Sequence, residues 1–432
     1  MSSSATTPPI AIVGAGPCGV TLARLLELAH VPYVVFERND ASSPYQHQQG
    51  GTLDIHTGTG QAALEAAGLK AEFLKFARYE AATFALQDAT GTLNFRAGGD
   101  GTVGADFLSD RPEIDRYQLQ KILLDSIPAD RVRWGKALRA VERADGAGSD
   151  AGAAGWVLRF ADGSEETGFR MIVGADGGWS KVRPLLTSAK PYYSGKSFIE
   201  GRIPQTNPMY AKAQEIAGAG SFSGIGAGRM LAVQQVADRS YRMYAGVEKP
   251  ESLMGPGGAL DFAADPAKAQ DALRGLYADW APHLRAFVDA AEGPWRIWPL
   301  YTFDPEVFSE TGKKTWTRVP GVTLVGDAAH LGIPNGEGVN IAMLDALRLF
   351  ESLSAELGFG DGKGEGEGGF DAKADAAAVE RAIVAYETPM RERALEHVSG
   401  GIKIVGEMMF QADGAERMLD MVKHFADSAG QS

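Results

Sequence analysis

The sequence predicts an α/β fold: a parallel sheet covered by helices, interrupted by an inserted antiparallel sheet and followed by C-terminal helices. Three observations predict it. Apolar runs lead directly into glycine-acid turns at three places: Ile10–Val13 into Gly14-Ala15-Gly16-Pro17-Cys18-Gly19, Arg170–Val173 into Gly174-Ala175-Asp176-Gly177-Gly178, and Val322–Val325 into Gly326-Asp327. Between Tyr192 and Trp298 the pattern changes to short alternating segments such as Arg229–Val233 and Tyr241–Val247, the period of half-buried strands. After Glu380, Ile402, Val405, Met408, Met409, Met418, Met421 and Val422 form an apolar stripe that suits packing against the preceding domains.

The first element is the most specific. Gly14, Gly16 and Gly19 occupy the Gly-x-Gly-x-x-Gly positions of a dinucleotide fingerprint, where glycine permits a tight turn, close approach of backbone to a pyrophosphate, and close helix–strand packing. Val20–Leu26 reads as the helix whose N-terminal dipole faces the phosphates. The next strand, Tyr33–Phe36, ends in Glu37, 23 residues after Gly14, where a carboxylate can accept hydrogen bonds from both ribose hydroxyls. A glutamate there suits an adenosine ribose without a 2′-phosphate, hence FAD or NAD rather than NADP at this site. The unit is therefore Rossmann-like. Cys18, the only cysteine, falls inside it and suits small apolar packing rather than redox chemistry.

The chain divides into a disordered arm at 1–9, a nucleotide-binding part at 10–190 with a candidate substrate-side excursion near 75–112, and a substrate domain at 191–300. The nucleotide-binding domain resumes at 301–357, and C-terminal helices occupy 379–432. The 358–378 segment, with its glycine-rich run Gly360–Gly369, reads as a flexible insertion. A shorter glycine-rich stretch, Asp145–Gly152, separates two expected strands and reads as a hairpin tip. A formal net charge of −13 without a basic tract argues against a nucleic-acid partner. With no secretory signal pattern at Met1–Pro9 and no apolar run near the ~20 residues that cross a bilayer, the expectation is a cytoplasmic protein. The seven histidines are scattered without cysteine spacings, so no metal site is expected. No oligomeric state follows from the sequence.

The three signatures, in this order, resemble the FAD motifs of the class A flavoprotein monooxygenases, the single-component aromatic hydroxylases. Within that family, Gly50-Gly51-Thr52-Leu53-Asp54-Ile55-His56 and Gly58-x-Gly60-Gln61 look most like the tetracycline-degrading enzymes. The resemblance implies FAD as cofactor, NADPH or NADH as transient electron donor, and oxygen transfer through a flavin C4a-hydroperoxide to an aromatic or polyketide-like substrate. A flavin-dependent dehydrogenase or reductase, or a non-catalytic FAD-binding protein, are the alternatives.

Carried over residue by residue, the resemblance implies cofactor contacts from Gly14, Gly16, Gly19, Glu37, Arg38, Asp54, Arg116, Asp176, Asp327, Gly338, Val339 and Asn340. Taken alone, Asp176 suits an ordinary Asp-Gly-Gly turn and Arg116 a solvated helix charge. The helix after Gly336-Glu337-Gly338 is implied to face the flavin with its positive end. Relatives usually carry Gly-Gln-Gly there, so Glu337 sets an acid beside a ring that becomes anionic on reduction, unless it is neutralised or turned away. His47 stands where the tetracycline-degrading enzymes have an arginine and is a candidate catalytic group of pH-dependent charge, or a partly exposed loop histidine. His330 suits packing or hydrogen bonding beside the loop better than a base. Glu200, Arg229, Tyr244 and Pro334 are the substrate candidates, and Glu200 a candidate base toward a phenol or enol; sheet-surface positions are the alternative for the three strand residues.

Overall fold

The computed structural model describes residues 7–42, 51–98, 111–144, 155–309, 316–359 and 371–429. The strands in chain order are β1 (Ile10–Val13), β2 (Tyr33–Phe36), β3 (Thr52–Asp54), β4 (Phe84–Asp88), β5 (Asn94–Ala97) and β6 (Glu113–Asp115). They continue with β7 (Val132–Arg133), β8 (Leu138–Arg143), β9 (Trp156–Phe160), β10 (Glu165–Glu166), β11 (Met171–Gly174) and β12 (Tyr192–Ile203). The last are β13 (Ser221–Gly226), β14 (Arg229–Gln235), β15 (Tyr241–Glu248), β16 (Glu292–Thr302) and β17 (Val322–Leu324).

The nucleotide-binding part is a five-stranded sheet in the order β17-β11-β1-β2-β7, every neighbouring pair parallel. A parallel sheet covered on both faces demands near-continuous apolar strands. Ile10, Ala11, Ile12 and Val13 are accordingly all buried, as are Met171, Ile172 and Val173. Their core takes in the Pro17–Leu28, Gly338–Leu357 and Ala372–Gly401 helices, through residues such as Leu22, Leu26, Met343, Leu349, Ile383 and Tyr386. β8, β9 and β10 form a separate antiparallel meander. The hairpin-tip stretch lies outside the described residues.

The second sheet has seven strands in the order β16-β12-β15-β14-β13-β4-β5. It is mixed rather than wholly antiparallel. β4, reached from the 75–112 segment, runs parallel to β13, while its hairpin partner β5 forms the edge. The physical reason is connectivity: a strand delivered long before β13, by a crossover from the other domain, need not obey hairpin antiparallelism. One face is apolar, with Ile199, Ile203, Leu231, Val233, Met243, Ala245 and Val247 packed on Leu273, Tyr277, Leu284 and Phe287 from helices Pro266–Leu276 and Pro282–Ala290. The other face turns toward the nucleotide-binding part. There the C-terminal stripe covers one end: Met408 and Met418 meet Leu86 and Ile225, and Val405 meets Met230, Leu300 and Ile333. No helix among the described residues is long and apolar enough to cross a membrane.

Candidate active site

Parallel pairing brings the three glycine-acid turns together, because β11 lies between β1 and β17 and all three strands end on one side. Gly14 has φ +110°, and a Cβ there would sit 2.3 Å from the Ala175 carbonyl oxygen. A Cβ on Gly19 would sit 2.1 Å from the Gly14 oxygen. Both positions are closed by the protein itself. Gly16 differs: nothing lies within 4 Å of its would-be Cβ, although its backbone, at φ −71°, suits any residue. The second glycine thus keeps open the space at the start of the Pro17–Leu28 helix where phosphate oxygens would be received.

Glu37 ends β2 with a buried carboxylate that accepts from Ala15 N at 2.8 Å and Asn39 N at 2.9 Å. It therefore shapes the glycine turn as well as offering acceptors beside it. Arg38 is exposed. Asp176 accepts from Lys181 N at 2.6 Å through Oδ2, an ordinary turn bond, but its Oδ1 is buried without a partner. Desolvation raises its carboxyl, against the hydrogen bonds of Ser180 and Lys181. Arg183, whose role the sequence did not disclose, fastens this turn to the third: it donates to Gly178 O at 2.7 Å and Ala328 O at 3.1 Å over the Phe303 ring.

At the third turn Asp327 is solvent-open yet set among enough protein that desolvation raises its carboxyl, against the charges of His330 and Arg116. Arg116, exposed at the start of the Arg116–Asp125 helix, also acts electrostatically on Tyr244 across the gap to the second sheet. His330 is buried, with Nε2 2.6 Å from Asp345 Oδ2. Asp345 also accepts from Gly326 N at 3.1 Å and from Arg393 at 3.0 Å. His330 is thus part of the scaffold behind the turn. Cys18 is buried beside Gly326, as a packing residue would be.

Gly338 starts the Gly338–Leu357 helix with nothing within 4 Å of its would-be Cβ, and Val339 is half-buried beside it. Asn340 is buried and spent on the protein: Oδ1 accepts from His56 N at 2.8 Å, and Nδ2 donates to Asp54 O at 2.9 Å and Gly336 O at 3.2 Å. It clamps β3 to the loop before the helix. Asp54 faces that loop with its carboxylate 2.8 Å from His56 Nε2, and the other ring nitrogen lies 3.2 Å from Glu337 Oε2. The acid that departs from the family pattern is therefore turned onto a histidine. Burial pushes the His56 imidazolium down, but the hydrogen bonds and charges of Asp54 and Glu337 outweigh it and raise it to about 9. The same pairing, opposed by desolvation, holds Glu337 below its ordinary value. The sequence showed His56 only as part of a motif; its meeting with Glu337 spans 281 positions and has no local signal. Pro334 is exposed on this loop. His47 lies outside the described residues.

On the second sheet, Glu200 and Tyr244 are opposite neighbours on β12 and β15, on the face toward β3. A Cβ on Gly51 would lie 2.9 Å from Tyr244 Oη, and Thr52 N donates to Gln234 on β14 at 3.3 Å. Burial pushes the Tyr244 phenol well up, with the Glu200 charge adding to it. Glu200 is only 1% exposed; Trp298 Nε1 donates to its Oε2 at 3.0 Å, and Arg242 Nε lies 3.6 Å from its Oε1. Arg229 does not join them. Its register partner Val247 belongs to the opposite, apolar face, and its guanidinium is tied to Leu276 O and to Asp279, with one oxygen at 2.9 Å. The strand alternation that makes side chains change faces at each residue puts it on the face opposite Glu200 and Tyr244.

A parallel sheet whose strand ends gather a glycine turn, a ribose-type carboxylate and two acidic turns defines a dinucleotide-binding protein, and the open positions at Gly16 and Gly338, with the unpartnered Asp176 Oδ1, fit FAD. The FAD binding domain family matches residues 7–199. The monooxygenase asqM of Emericella nidulans is 30% identical over 80% of this chain and 83% of its own length. The monooxygenase penA of Penicillium thymicola is 29% identical over 93% of this chain and 98% of its own length. The chain belongs to the FAD-dependent monooxygenases and is an enzyme of that family. The solved structure of the tetracycline destructase Tet(51) shares the fold with a TM-score of 0.64 over 98% of each chain, at 15% identity.

Proposed function

We propose that this monooxygenase uses NAD(P)H and O2, in the cytoplasm, to hydroxylate an aromatic or polyketide-like small molecule held on the inner face of the seven-stranded sheet. The observation that carries this function is the position of β3: Gly51 and Thr52 at its start lie against Tyr244 and Gln234 of the sheet, while Asp54 O at its end accepts from Asn340 of the Gly338–Leu357 helix. A substrate lying on Tyr244 is then held beside the strand that leads to the start of that helix. Bound FAD supplies the redox chemistry that activates oxygen. The chain's own part is to orient and to exclude water. Glu37, Gly16 and the Asp176 turn would hold the cofactor's adenosine and pyrophosphate end. Asp327, Arg116 and the start of the Gly338–Leu357 helix would hold its flavin end. Tyr244, Phe198 and Trp298 present aromatic surface to the substrate from β15, β12 and β16.

Glu200 has both carboxylate oxygens engaged, so a role as base toward a phenol or enol requires the substrate to displace the Trp298 or Arg242 contact. An unchanged hydroxylation rate in Glu200→Gln removes that role. The function itself is tested by NADPH, NADH and oxygen consumption of the purified flavoprotein with phenols, anthraquinones and tetracyclines, followed by mass spectrometry. Ligand-stimulated consumption with a product one oxygen atom heavier supports it. Flavin that turns over without oxygen transfer points to a dehydrogenase or reductase, and flavin that stays oxidised with every donor points to a non-catalytic binder.

A further inference from the structure

Beyond Glu200 and Tyr244, the inner face of the second sheet continues into a row of arginines. Arg202 on β12 is the register partner of Arg242 on β15, and Arg296 on β16 pairs with Glu200. Residues of one parity share a face, so Arg202 and Arg242 lie on the side of Glu200 and Tyr244, while Gly201 and Ile203 face the apolar core. The acids around this row are shared: Glu200 and Asp238 act on Arg202 and Arg242 but have hydrogen-bond donors of their own, and Glu292, the β16 register partner of Arg202, accepts from Asn207 at 2.6 Å. Glu200 accepts from Trp298, Asp115 from Ala237 N at 3.1 Å, and Asp238 from Ser240 N at 2.8 Å. Arg242 donates to Ser240 Oγ at 3.2 Å and stands 3.6 Å from Glu200, but its buried Nε makes no hydrogen bond. The Arg202 guanidinium makes no hydrogen bond or ion pair with any described residue, and its Nε is buried. Desolvation, then the charges of Arg242 and Arg296, weaken its hold on its proton, with Glu200 and Asp238 opposing.

A half-buried guanidinium without a protein acceptor, next to others of the same sign, is incompletely solvated, and an anion that accepts from it is favoured by both charge and hydrogen bonding. Arginine's planar fork suits a two-oxygen anion. We propose that Arg202 and Arg242 form an anion-recognition subsite at the far end of the substrate face, which takes a carboxylate or similarly charged oxygen group of the substrate. This rests on the assignment of that face to the substrate. Its position in line with Tyr244 places the charged group away from the cofactor turns and the neutral, electron-rich ring toward them. A nicotinamide donor's phosphate has the same chemistry, and the experiment separates the two sources.

The test is equilibrium binding to the oxidised holoenzyme, read by perturbation of the flavin absorbance, which requires no turnover. The probes are salicylate, its neutral amide salicylamide, inorganic phosphate, NADPH and NADH, each against wild type and Arg202→Gln. Flavin content and melting temperature equal to wild type certify the variant, and Arg202→Lys serves as a second variant that keeps the charge without the fork. A lost charge-assisted pair corresponds to roughly 10–100-fold in Kd. Salicylate should bind more tightly than salicylamide, Arg202→Gln should weaken salicylate by that factor while leaving salicylamide unchanged, and Arg202→Lys should fall between. Weakening confined to NADPH and phosphate moves the subsite to the donor and overturns the substrate assignment. Equal binding of salicylate and salicylamide, or anion binding unchanged in Arg202→Gln, overturns the subsite altogether. Failure of the monooxygenase function would appear separately, as absence of oxygen transfer in an enzyme whose anion binding still depends on Arg202.

Discussion

Replacing His56 by glutamine tests the ion cluster that joins β3 to the loop before the Gly338–Leu357 helix. In the folded protein the imidazolium is held at about 9 against an ordinary value of 6.5. That interval, at about 1.36 kcal/mol per pH unit, corresponds to roughly 3 kcal/mol. Asp54 and Glu337 are 34% and 37% exposed, so solvent screening reduces it to about 2 kcal/mol. The group's folded value lies above its unfolded one. Its contribution is therefore complete below pH 6.5 and is lost as pH rises through about 9. Thermal melts of wild type and His56→Gln at a series of pH values give the check. The variant should melt several degrees lower at pH 6, and the gap should close above the folded value, where both side chains are neutral. A gap of equal size across the whole range would refute the electrostatic account and leave only packing and hydrogen bonding.

The two fingerprint glycines should fail differently: Gly14→Ala, with its Cβ 2.3 Å from a carbonyl and φ +110°, should lower the melting temperature with or without FAD. Gly16→Val should melt like wild type without FAD but lose the flavin, as read by absorbance after gel filtration. Asp345→Asn takes the charge from a buried site that serves His330, Gly326 N and Arg393, and should cost about 3–5 kcal/mol in urea denaturation. Arg229→Gln should leave FAD affinity and substrate KM unchanged, because its guanidinium is bound on the far face of the sheet. Its exposed Asp279 partner limits the stability loss to about 1 kcal/mol.

How much was legible in the sequence follows from the range of the interactions involved. The Gly14–Gly19 turn, the Glu37 strand end and the acids at Asp176 and Asp327 are local devices, each encoded within a few residues of an apolar strand, and they could be read in order along the chain. Their convergence was implied by that order, since parallel strands that end alike bring their following turns together. The mixed pairing of β4 with β13 was not legible, because it depends on where a crossover from the other domain lands. Arg229 shows the limit of alternation: a polar residue on a predicted strand faces one side or the other only once the register with β15 is set. Cofactor class, strand-turn-helix units and the inserted sheet were thus determined by the sequence itself, through backbone sterics and hydrophobic period. Which charges meet was decided by tertiary structure alone: Glu337 with His56, His330 with Asp345, Glu200 with Arg242, and an Arg202 guanidinium without a hydrogen bond among the described residues. Those encounters join residues from separate elements, and no local preference of the chain records them.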